Sequence, residues 1–144
     1  MKQIDKTAAT AQILMQLKPQ FGRLVHAKGA EGPVIFDFPS HEYPVQIYPF
    51  EGPGGLIRRV CCPISENADW SGNLANFLLR ECSELLIGSI VRRGEGIVVE
   101  QIIVGDVSGE DLGAIVFTVA NLSSHLQRDL TLAGALTTPE AASA

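Results

Sequence analysis

Cysteine is scarce in this chain, with three among 144 residues and two of them adjacent at Cys61 and Cys62. An odd count without paired spacing excludes a disulfide framework, and the absence of Cys-x-x-Cys excludes the usual redox pair and zinc ribbon. This usage predicts a reducing, cytoplasmic setting. Histidine is as sparse: His26, His41 and His125 are scattered, with no His-x-x-x-His pair, so no metal site and no cofactor are expected. No apolar run reaches the ~18 residues of a spanning helix. The stretch from Met1 to Thr10 lacks the apolar core of a signal peptide. Charged residues make up only 19%, and the balance is -5 with a pI of about 5.1, so the overall field opposes nucleic acid and anionic membranes as partners.

Apolar residues, by contrast, reach 46%. A chain of this length builds one core without disulfides, and a single domain is expected over 1–132, followed by a disordered tail of small and polar residues over 133–144. So much apolar surface in one small core also points to cover by a partner.

Periodicity organises the chain. Ala8, Ala11, Leu14 or Met15, and Leu17 recur at helical spacing, predicting a first helix from about Asp5 to Lys18 that ends at Pro19. The stretch from Gln20 to Gly32 reads as a loop with room for a short strand. Three strands follow, over Val34 to Phe38, Tyr43 to Tyr48 and Leu56 to Ile64; Pro44 and Pro49 favour an edge or bulged position for the second. A second helix, Asn73 to Leu86, has an apolar stripe of Leu74, Phe77, Leu78, Cys82 and Leu85 and a cap at Asp69 or Ser71. Ser89 to Arg93 and Ile97 to Val104 form a hairpin around Gly94 to Gly96. The last helix starts at Ser108, with Asp111 in the capping box, and runs to about Leu132 on Leu112, Ile115, Val116, Val119, Leu122, Leu126 and Leu130. Strands that follow one another without intervening helices predict an α+β fold with an antiparallel sheet.

The strand Ile97 to Val104 is apolar on both faces. Ile97, Val99, Gln101 and Ile103 alternate with Val98, Glu100, Ile102 and Val104. Either helices of the same chain wrap both faces or a partner covers one of them, and a homodimer is the simplest such partner.

Catalytic signals are weak. Adjacent Cys61 and Cys62 point to opposite strand faces and share no thiol pocket; Cys82 falls on a helix stripe, and all three read as packed side chains. Gly52 to Gly55 lacks the Lys and Ser or Thr of a phosphate loop. No Gly-x-Ser-x-Gly elbow is present, and Ser123 and Ser124 lie in mid-helix. Arg58 with Arg59 and Arg92 with Arg93 each split across a strand and read as solvated strand-end charges that discourage edge pairing; Arg59 and Arg93, if neighbours, would hold a carboxylate or an acidic peptide. The expectation is therefore a non-enzymatic module.

From Leu74 to Leu130 the chain resembles the YbjN family and the related type III secretion chaperones of the CesT-like fold. The residues carrying this are Leu74, Phe77, Leu78 and Leu85, Gly88 with the hairpin Ile90 to Val104, and Asp111 with the Leu112 to Leu130 stripe. The resemblance implies the order helix, three strands, helix, two strands, helix, and a cytoplasmic homodimer that binds an extended segment of a protein partner. It carries over no catalytic residues. Val34, Phe36, Phe38, Tyr43, Val45 and Ile47 are the candidate peptide-binding residues, through apolar pockets and pairing at a strand edge. The alternative is a small-ligand domain or small enzyme with a pocket between helix and sheet.

Overall fold

The computed structural model describes residues 5–85 and 87–134. Three helices and a six-stranded antiparallel sheet form an α+β fold: α1 (Lys6–Phe21), β1 (Val25–Ala27), β2 (Val34–Phe36), β3 (Val45–Gly52), β4 (Gly55–Ser65), α2 (Leu74–Glu84), β5 (Ser89–Arg93), β6 (Gly96–Val104) and α3 (Gly109–Leu132). In space the strands lie in the order β1-β2-β3-β4-β6-β5. Four strands precede α2 where three were expected, because Val25–Ala27 pairs with Val34–Phe36 and adds a short edge. The middle helix ends at Glu84, with Leu85 already extended, short of the expected end at Leu86, a residue that lies outside the described ones together with most of the expected disordered tail, residues 135–144.

The first helix runs through Pro19 instead of stopping before it. Proline removes the bond to the carbonyl four residues back, that of Met15, whose side chain stands in solvent. Gly22 ends the helix, at φ 57° and with its N–H donating to the Lys18 carbonyl. In α2 the expected Asp69 cap is used differently: its carboxylate accepts from the amide and hydroxyl of Ser71 and shapes the approach turn. The Ser108 cap forms as expected, its hydroxyl accepting from the Asp111 amide at 3.1 Å.

The second long strand is neither a plain edge nor a plain interior strand. β2 pairs only with Val45, Ile47 and the residue between them, whereas β4 pairs with β3 from Gln46 to Gly52. Pro44 precedes the strand and Pro49 lies beyond the reach of β2, so neither residue interrupts the β2 ladder.

All three helices pack on one face of the sheet. Ile13 and Leu17 of α1, Leu74 and Leu78 of α2, and Leu112, Val116, Val119, Leu126 and Leu130 of α3 form a single core with every second residue of the strands. The strand contributions include Phe36, Ile47, Val60, Cys62, Ile64, Ile97, Val99 and Ile103. Burying this set is the main favourable contribution to folding, at ~25 cal/mol per Å² of apolar area. The C-terminal half of α1 is fastened to the start of α3: Gln16 Nε2 donates to the Val107 carbonyl at 2.8 Å and Gln20 Nε2 to the Gly109 carbonyl at 2.6 Å. Gly109 permits this approach, since a Cβ there would stand 2.9 Å from the Gln16 carbonyl oxygen. Ser123 in mid-α3 donates to the Pro63 carbonyl at 2.7 Å, where the β4–β6 register shifts. Its role there is structural.

Gly96 sets how closely the hairpin approaches the end of β4. A Cβ there would lie 2.8 Å from the Ser65 carbonyl oxygen and 3.1 Å from that of Glu66. Gly96→Ala is expected to lower stability by ~2 kcal/mol through forced backbone displacement. Urea unfolding checks this, with a downward shift in the midpoint at unchanged slope as the expected result.

Candidate functional site

Side chains alternate across a strand, so committing one parity to the helices turns the other parity outward. The outward residues are Gln46, Tyr48 and Phe50 of β3; Ile57, Arg59, Cys61 and Pro63 of β4; Val98, Glu100, Ile102 and Val104 of β6; and Ser89, Val91 and Arg93 of β5. No described helix covers this face. Tyr48 is 37%, Ile102 38% and Val104 67% exposed, and Phe50, Ile57, Val91 and Val98 are half-buried. The reading in which three helices wrap both faces of β6 is thereby corrected: helices of one chain cover Ile97, Val99 and Ile103, and leave Ile102 and Val104 open.

A charge cluster sits in the middle of this face. Glu100 is 9% exposed and accepts from Arg93 at 2.8 Å, while Arg59 Nε lies 3.5 Å from its other carboxylate oxygen. Hydrogen bonding and attraction to Glu100 hold the Arg93 guanidinium above its ordinary pKa. Arg59 also lies over the Phe50 ring at 5.1 Å. Arg59 and Arg93 therefore do not stand apart as solvated strand-end charges: they meet at one carboxylate, and it is the chain's own. Glu100 escaped the sequence reading, although the signal was present: a two-residue turn pairs Arg93 with Gly96 and Ser89 with Glu100, which puts Arg93 and Glu100 on one face.

Cys61 faces Glu100 across the β4–β6 pair. Burial, then the nearby Glu100 charge, push its thiol up to about 12. Cys62 points into the core, and its thiol is also raised by burial. Both are thiols at neutral pH and poor nucleophiles. On the helix side Arg58 is 1% exposed, donates to the Gly105 carbonyl at 2.8 Å, and has its pKa lowered by burial, a loss opposed by Asp106. Among the described residues no group of three His, Cys, Asp or Glu side chains is placed to hold a metal ion. No described helix is long and apolar enough to cross a membrane.

The six residues assigned to peptide binding lie elsewhere. Val34, Phe36, Val45 and Ile47 are fully buried beneath the helices and offer nothing to a partner, which corrects their assignment. Their alternation marks the core parity of β2 and β3. Phe38 and Tyr43 are half-buried at the margin, with Phe38 stacked on Phe36 at 4.1 Å and edge-on to the exposed Phe117 at 6.0 Å.

Surface cavities among the described residues include the following pair. One, of 490 Å³, lies beside the open face and is lined by Ile87, Gly88, Ser89, Val91, Glu100, Gln101 and Ile102. The other, of 300 Å³, lies between the start of α2 and the end of α3, with Leu74, Phe77 and Asp69 in its wall. No family model matches this chain, and no curated protein matches it.

The raised Cys61 thiol has a consequence for stability. Its folded pKa of about 12 exceeds the ordinary 9.0, so its contribution is complete below pH 9.0 and is lost as pH rises toward 12. Urea unfolding across that range should show a smaller alkaline loss in Cys61→Ala than in the parent; identical slopes would contradict the assignment.

Proposed function

We propose that the chain is a non-enzymatic, chaperone-like module that binds a segment of a protein partner and acts as a cytoplasmic homodimer, the role implied by its resemblance to the YbjN family and the type III secretion chaperones. The observation carrying this reading is the uncovered sheet face, whose outward positions include Tyr48, Ile102 and Val104 where water-facing strands normally carry polar side chains. Such a face is suited to macromolecular contact. The three free cysteines agree with a reducing compartment.

The partner segment is assigned to the free edge of β5. Ser89–Arg93 pairs on one side with β6 and, among the described residues, has no strand on the other, so its outer backbone groups are available to an added strand. The adjoining 490 Å³ cavity reaches the β5 edge at Ile87, Gly88 and Ser89 and offers a place for a side chain of that segment there. The reading as a small-ligand domain or small enzyme requires polar groups converging between helices and sheet. That layer is instead packed mainly with Leu, Ile and Val, and its buried polar side chains Thr10, Arg58 and Ser123 each donate to a separate backbone carbonyl.

Co-purification from the native host, followed by reconstitution with the purified partner segment in a calorimeter, tests the proposal. The expected outcome is saturable binding with micromolar or tighter affinity and a negative heat-capacity change from apolar burial. Co-purification of a metabolite in the absence of any polypeptide would overturn it.

A further inference from the structure

We infer that the open sheet face is covered by the same face of a second copy, so that the homodimer is a sandwich of two sheets with helices on its outer sides. This rests on the proposed homodimer and specifies its interface.

Three observations select a second copy as the occupant. The first is area. Six strands ~4.8 Å apart, with roughly eight residues of ~3.3 Å each along the central ones, give a face of about 600 Å² in projection. Side-chain relief brings its accessible area near the ~800 Å² that each partner contributes to a standard interface.

The second is charge. Among the outward positions of β3 to β6 the charged residues are two guanidinium groups, Arg59 and Arg93, against one carboxylate, Glu100, whereas the whole chain carries -5. The acidic excess therefore lies elsewhere. Glu100 is already paired within its own chain at 2.8 and 3.5 Å, so two such faces meet with no unpaired carboxylate and with a single guanidinium of excess on each.

The third is chemistry. A twofold interface must be self-complementary, and flat apolar surface presented by Tyr48, Ile57, Ile102 and Val104 can pack against itself as sheets do in sandwiches, ~10 Å apart. The Arg59, Arg93 and Glu100 cluster then lies toward the β5 margin of that interface, with Cys61 beside it.

The experiment is light scattering coupled to size exclusion, from about 1 to 100 micromolar, on the parent, Val104→Glu, Ile102→Glu and Leu79→Glu. Val104 is 67% and Leu79 70% exposed, so an added carboxylate at either is compatible with folding of one chain, which far-UV circular dichroism confirms. The expected result is a dimeric parent, an unchanged Leu79→Glu on α2, and at least ~100-fold weaker dimerisation for Val104→Glu and Ile102→Glu, since each interface would bury two unpaired carboxylates. A dimeric parent with both face variants still dimeric would overturn this interface while leaving the homodimer intact. Dissociation by Leu79→Glu instead would move the interface to the helices. A monomeric parent at every concentration would remove the homodimer itself, and binding of a different protein to that monomer, blocked by Val104→Glu, would reassign the face to that protein.

Discussion

The two-residue alternation of β6 is the constraint on which the rest of the molecule depends. Ile97, Val99 and Ile103 can reach the helical layer only if Val98, Glu100, Ile102 and Val104 turn the other way. With α1, α2 and α3 all on one side, the second parity is left to a surface that no described helix covers. The glycine contacts and glutamine bonds that bring α1 against α3 reinforce this arrangement, because they draw both helices onto the same face and leave no described helix for the other.

The polar cluster on that surface follows from the same geometry. Glu100 occurs at an outward position of a strand whose other outward residues are valine and isoleucine, and its low exposure would be costly without counter-charge. Hairpin register supplies Arg93 and the β4 pairing supplies Arg59. Two arginines that read from sequence as solvated strand-end charges are instead held by one carboxylate of the same chain. The pairing leaves one guanidinium in excess on a face whose other outward residues are largely apolar.

Much of the scaffold was legible because local signals and long-range packing agree. Ser108 with Asp111, the glycine turn at Gly94, and the stripe from Leu112 to Leu130 each specify an element without help from elsewhere. The errors arise where tertiary context decides. Pro19 is accommodated because the carbonyl it deprives is that of Met15, on the solvent side, and Val25–Ala27 becomes a strand only because β2 lies beside it. The candidate site was misplaced for a related reason. Alternation identifies two parities in Val34 to Phe38 and Tyr43 to Tyr48 but not which one the helices take; the helices take Val34, Phe36, Val45 and Ile47, leaving Tyr48 outward. Only in β6 do both parities demand cover, which is why that strand carried the useful functional signal.

The central claim, that a second copy shields the open face, is tested most directly by methyl NMR with a soluble paramagnetic probe. Ile102, Val104, Leu79 and Leu132 are all exposed in a single chain, the first two on the sheet and the last two on the helical side. The account predicts that the Ile102 and Val104 methyl signals are protected at dimer concentrations while those of Leu79 and Leu132 are broadened. Equal broadening of all four would contradict it.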